Sequence, residues 1–288
     1  MQKNGLRMIL RMFGPLLIAY LISGFVTSAF SMWYMGQMWP EIQKAQEQGM
    51  DAMAITEQVM EKLLPHTNEI MAAAALVTIP VMIILFLRDI KKRKAAGIPQ
   101  PKKEKIWKYG AIIVLAAAAC IALNNLMLIA NVTAVDEQYQ QTARALYSSA
   151  FWIRIIGNGF LVPISEELVF RGVFYNRLKE VASIKKAAVI TCLIFAVYHG
   201  NLVQMIYAGI MSAMMIFVYE KYGSVKAPIA AHIVANLVSV IFSEFGVFDA
   251  MFTDVMYAGI FTVICATLCT ATVLFIQKIT EPSLEETK

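Results

Sequence analysis

The stretch YGAIIVLAAAACIALNNLMLIAN, residues 109–131, contains no Asp, Glu, Lys or Arg. A helix rises about 1.5 Å per residue, so about 20 such residues cross a hydrocarbon core of about 30 Å. The rest of the chain repeats this character. It is 59% hydrophobic and only 16% charged, with a mean hydropathy of +0.61, whereas an ordinary soluble domain is about half apolar and about a quarter charged. The composition therefore predicts an all-α, polytopic membrane protein. Eight hydrophobic segments stand out, near 12–33, 69–87, 109–131, 147–175, 187–199, 202–219, 228–245 and 255–277. The fifth is too short to cross alone and is expected to turn back within the membrane, with its Gly200 end buried in protein or lining a wet cavity.

Charge sets the expected orientation. Placing both termini in the cytoplasm puts 20 of the 25 Lys and Arg on that side and leaves only Lys44, Lys62 and Arg144 outside, with Arg154 and Arg171 inside the fourth segment; cytoplasmic loops retain Lys and Arg. The most basic stretch, RDIKKRKAAGIPQPKKEKIWK at 88–108, reads as a cytoplasmic linker. Its charge is accounted for by topology, and contact with anionic lipid headgroups is a further expectation. No alternation of aromatic and basic residues suggests a nucleic-acid partner. The first apolar run is longer than a cleaved signal core and reads as an uncleaved span. Residues 41–64, with Met50, Met53, Met60 and Leu64 near helical spacing, predict an external amphipathic helix. The chain divides in this reading into an N-terminal two-span region, 1–108, and a membrane core, 109–288, with the motifs described below in 152–245.

Cys120, Cys192, Cys265 and Cys269 all lie in apolar segments without a CxxC pair, so neither a disulfide framework nor a thiolate metal site is indicated. No glycine-rich phosphate loop and no HExxH occurs. The polar residues inside apolar segments are costly there and carry the functional expectation. Glu167 and Arg171 are four apart on one helix and can pair, while Glu166 points about 100° away from them. His199 ends the fifth segment and shares a face with Phe195, and His232 and Asn236 project together from the seventh. Counted from the nearest cytoplasmic basic residue, Glu166 lies about 16 Å deep, His199 about 20 Å and His232 about 9 Å, ignoring tilt.

EELVFR at 166–171, FAVYH at 195–199 and HIVAN at 232–236 resemble the EExxxR, FxxxH and HxxxN series of the CPBP or Abi family, which includes the type II CAAX prenyl proteases and bacteriocin-processing proteins. The resemblance covers about 152–245. It implies an intramembrane, metal-independent, glutamate-dependent endopeptidase of all-helical fold, acting on a protein or peptide substrate without a cofactor. Glu166 resembles the catalytic glutamate, which with His199 would activate a water. His232 and Asn236 resemble the pair that donates hydrogen bonds to the oxyanion. Glu167, Arg171 and Phe195 would support them. Three other readings of the same residues stand beside this one. They are a zinc-dependent membrane protease with one glutamate and two histidines as ligands, a secondary transporter with a midplane carboxylate, and a non-catalytic scaffold or bacteriocin-immunity protein.

Overall fold

A computed structural model describes residues 2–280, with side chains from residue 5 onward. Met1 and residues 281–288, which belong to the expected cytoplasmic ends and to the far end of the 109–288 core, lie outside the described residues. All the regular structure of the described residues is helical, without a strand. Its helices are α1 (Gln2–Glu47), α2 (Ala52–Leu63), α3 (Thr67–Ala95), α4 (Tyr109–Ile129) and α5 (Glu137–Tyr147). After a break come α6 (Phe151–Leu178), α7 (Ile184–Tyr198), α8 (Leu202–Tyr222), α9 (Lys226–Glu244) and α10 (Val255–Ile279).

Six helical stretches are long and apolar enough to cross a membrane, or seven when α5 and α6, bent by 111° at their break, are taken as one span. All eight hydrophobic segments of the sequence are helical, but the fourth and fifth are not plain spans. The fourth carries Arg154, Glu166, Glu167 and Arg171 along α6. The fifth, α7, has 15 residues, about 22 Å of helix, and turns at His199–Asn201, where Gly200 adopts φ +82°. A side chain is disfavoured at that φ, so glycine suits the sharp return into α8. The N-terminal half departs from expectation in a second way. The first helix continues to Glu47, and the separate helix begins only at Ala52, capped by Asp51, whose side chain accepts the Ala54 N–H at 2.8 Å. Its buried residues are Ile55 and Val59, while Met53 and Met60 are exposed, so the expected methionine stripe faces outward.

The outer surface is apolar. Tyr20, Phe25, Val263 and Leu274 are all more than half exposed, which suits lipid and not water. Inside, two clusters hold the bundle. One surrounds α6 with Met82, Phe170, Phe174, Tyr175, Phe195 and Ile216. The other packs α9 on α4 through Ala227, Ala231 and Ala235, spaced four apart, against Ala116 and Cys120. Without a hydrophobic drive between helices in lipid, such small residues permit the close approach that dispersion needs. Proline supplies a further tie. Pro15 has no N–H to offer the Arg11 carbonyl four residues back, and that carbonyl instead accepts from Arg177 Nη1 at 2.7 Å, fastening α1 to the end of α6.

At the opposite end, Asp136 caps two helices with one carboxylate. Its Oδ1 accepts the Tyr139 N–H of α5 and its Oδ2 accepts the Val203 N–H of α8, each at 3.0 Å. The Tyr139 amide first, and the Val203 amide next, hold its pKa below the ordinary 3.8. A depressed carboxylate contributes stability that is complete above its unfolded value and is lost as pH falls through the folded one. Asp136→Ala is therefore expected to lower the thermal midpoint at pH 7, and the difference from wild type should begin to shrink near about pH 4 and be lost as pH falls through the lower folded value, read by paired melts across that range.

Candidate active site

Local sequence periodicity decides which side chains reach the centre. On α9, Ala231 and Ala235 bury against α4, and Cys120 Sγ donates to the Ala235 carbonyl at 3.2 Å. His232 and Asn236 follow each of them by one residue, about 100° around the helix, and both line a cavity of about 570 Å³. On α6, Glu167 and Arg171 are fully buried, and Glu166, one residue before Glu167, lines the same cavity. Phe195 and Tyr198 of α7, and His199 just after its end, complete this part of its wall.

Helix α6 is not uniform. Its hydrogen bonding is π-helical over Ile155–Leu161 and again over Leu168–Tyr175, on either side of the α-helical turn Val162–Glu167. Such bulges shift the register of side chains and backbone groups and recur at functional sites. Here the Asn158 carbonyl accepts from Asn236 Nδ2 at 2.8 Å, which fixes that amide on the cavity wall. At the far end the Asn176 side chain donates to the Arg171 and Gly172 carbonyls at 2.9 and 3.0 Å. The first bulge also lies close to α3: a Cβ on Gly157 would sit 3.1 Å from the Asn68 backbone oxygen. Gly157→Ala is expected to destabilise the protein by about 1–3 kcal/mol, measurable as a lowered unfolding midpoint in detergent, because backbone on both sides must give.

The charged centre is a line of contacts. Arg171 Nη1 donates to Glu167 Oε1 at 2.8 Å, and His232 Nδ1 lies 2.8 Å from the same oxygen. A carboxylate oxygen only accepts, so His232 Nδ1 carries the proton. Its other nitrogen, Nε2, faces Glu166 Oε2 at 3.8 Å, beyond a hydrogen bond. His232 thus stands between two carboxylates, Glu167 fully buried and Glu166 with 15% of its side chain exposed to the cavity. The Phe195 ring covers the Arg171 guanidinium, 4.5 Å from its carbon, a cation–π contact in a dry setting. His199 Nδ1 lies 2.8 Å from the Phe195 carbonyl and must likewise donate, which leaves Nε2 of the neutral ring as an acceptor. Among the described residues no group of three or more His, Cys, Asp or Glu is placed to hold a metal ion.

The fold therefore brings Glu166, His199, His232 and Asn236 onto one cavity, with Glu167, Arg171 and Phe195 behind or beside them. The direct bond from Glu167 to His232 was not legible in sequence, since the two lie on different helices. Nor were Asn158, whose backbone serves Asn236, and Arg154. The Arg154 side chain is largely buried in the cavity wall, pairs with Glu244 and lies over the Tyr147 ring at 5.5 Å. An arginine inside an apolar segment was the signal for it, and Glu244 at the end of α9 the partner to seek.

A family model described as type II CAAX prenyl endopeptidase Rce1-like matches residues 148–238, a range that contains every residue of the three motifs. The "Putative membrane peptidase YdiL" of Bacillus subtilis (strain 168) is 22% identical over 181 residues, covering 61% of this chain and 72% of that protein. No solved structure matches.

Proposed function

We propose that this chain, which belongs to the CPBP or CAAX protease-like family and is a membrane protease, hydrolyses peptide bonds with Glu166 as the general base and without a metal. The observation that carries the reading is the setting of Glu166. It is the carboxylate that meets both the cavity and, at 3.8 Å, the Nε2 of a histidine whose other nitrogen is already tied to a buried carboxylate.

Glu166, with the free Nε2 of His199, takes a proton from a water held in the cavity, and the oxygen of that water bonds to the peptide carbonyl carbon. The carbonyl oxygen becomes an oxyanion. Asn236 Nδ2, which uses one hydrogen on the Asn158 carbonyl, has a second to donate to it. His232 adds a donor at Nε2 when its ring carries both protons, its Nδ1 hydrogen being already engaged on Glu167. Donors already aimed at developing charge in a dry site are each worth about 3 kcal/mol. The proton held on Glu166 then passes to the departing amine, and the C–N bond breaks.

In this proposal the chemistry lies within 109–288, and the 1–108 region contributes α3, whose Thr67 and Met71 help wall the cavity. Both termini lie in the cytoplasm. The stretch 88–108 meets anionic headgroups through the exposed Arg88, Lys91, Lys92 and Lys94, with Trp107 exposed beside them. The deciding experiment incubates purified wild type and Glu166→Gln, in detergent and in liposomes, with a diverse peptide library read by mass spectrometry, with and without a zinc chelator. Cleavage that resists the chelator and disappears in the variant supports the proposal. Chelator-sensitive cleavage would move the assignment to a zinc protease.

A further inference from the structure

We propose that Ser212 is a positioning residue for this reaction: its hydroxyl fixes the Arg171 guanidinium, and through Arg171 and Glu167 it holds His232 with Nε2 turned toward Glu166. The inference rests on the reading of Glu166 as the base. Ser212 belongs to α8, a helix that contributes none of the motif residues. It is fully buried and does not itself line the cavity.

Three consecutive hydrogen bonds join three helices. Arg171 Nη2 donates to Ser212 Oγ at 2.6 Å, and more weakly to the Ser212 carbonyl at 3.2 Å. Arg171 Nη1 donates to Glu167 Oε1 at 2.8 Å, and His232 Nδ1 donates to that same oxygen at 2.8 Å. The path runs from α8 through α6 to α9 and ends on the ring that faces Glu166.

The path has little redundancy. A guanidinium is planar and its donors point in fixed directions, so its orientation is set by the acceptors at its edges. Arg171 Nε has no hydrogen-bond partner, and Phe195 covers a face of the group without fixing its rotation in that plane. Glu167 Oε2 has no partner either, so the carboxylate is held through Oε1 alone. Removing the Ser212 hydroxyl leaves that edge of Arg171 on the longer carbonyl bond. Arg171 can then turn, Glu167 turns with it, and the direction of the His232 ring follows.

Histidine NMR tests the inference on the full-length chain in detergent, because the sequence contains only three histidines. The variants are Ser212→Ala, and Ser212→Cys, which keeps nearly the same volume but offers only a weak acceptor; if the first does not fold, the second carries the test. The expected result is a displaced His232 Nδ1–H resonance in 15N-histidine spectra, with those of His66 and His199 unmoved. The expected kinetics are a kcat lowered about tenfold with KM within about twofold, the pattern of lost transition-state aim. An unchanged His232 resonance in a folded variant would overturn the proposal, and so would a displaced resonance with wild-type kcat. A loss confined to thermal stability would assign Ser212 to packing alone and overturn it too. The spectra are read on the resting protein, so this outcome is separate from that of Glu166→Gln, which tests the base itself.

Discussion

Glu166→Gln is expected to lower peptide-bond cleavage by about 10²- to 10⁴-fold, the usual worth of a positioned general base, while leaving the folded protein as stable as wild type. Both halves follow from where the side chain lies. Glutamine keeps the size and the hydrogen-bonding oxygen of glutamate but cannot take a proton from water at neutral pH. Glu166 is not a structural tie: its approach to His232 is 3.8 Å, and its side chain meets the cavity. A matched melt shows whether any lost activity is lost chemistry or lost fold. Undiminished cleavage by a folded Glu166→Gln protein would sink the mechanism, whatever the other residues do. Its neighbour should behave differently, because Glu167 is fully buried and bonded to both Arg171 and His232.

Arg171→Met is expected to destabilise the protein by about 3–5 kcal/mol, the cost of removing one partner of a buried ion pair. Both side chains of the Glu167–Arg171 pair are fully buried, with Nη1 and Oε1 2.8 Å apart. Without the guanidinium, Glu167 would be left in an apolar interior without its cationic partner, bonded to His232 alone. The double substitution Glu167→Gln with Arg171→Met removes both charges and is expected to recover most of the lost stability, as replacement of buried pairs by neutral groups often does. Cleavage should stay low in the double variant, since the carboxylate that accepts the His232 Nδ1 proton is gone. Unfolding in detergent and a cleavage assay on the same three preparations decide it. Recovered activity in the double variant would mean that the pair only holds the helices together.

The membrane class of the fold was legible because lipid imposes one demand on every residue of a span, and apolar runs such as 109–131 satisfy it in plain sequence. The i, i+4 spacing of Glu167 and Arg171 likewise announced a contact, because a helix itself brings such residues together. The short fifth segment was readable from its length and its glycine. The helix after α1 was less so. Its methionines matched helical spacing, but spacing alone does not say which face has a neighbour, and the buried face belongs to Ile55 and Val59.

What the sequence determined by itself was local: an all-helical membrane chain, the places where polar groups interrupt it, and the pairing of residues within one turn of a helix. Only the tertiary structure decided that His232 stands between Glu166 and Glu167, that the Asn158 carbonyl holds Asn236, that Ser212 steadies Arg171 and that Arg154 pairs with Glu244. Each of these contacts crosses between helices, or depends on a π-helical segment whose bonding changes the register around it. Periodicity specifies which side of a helix a residue occupies; the neighbour on that side is chosen by packing, where small residues such as Ala231 and Ala235 let helices approach and so turn the polar residues beside them toward a shared cavity.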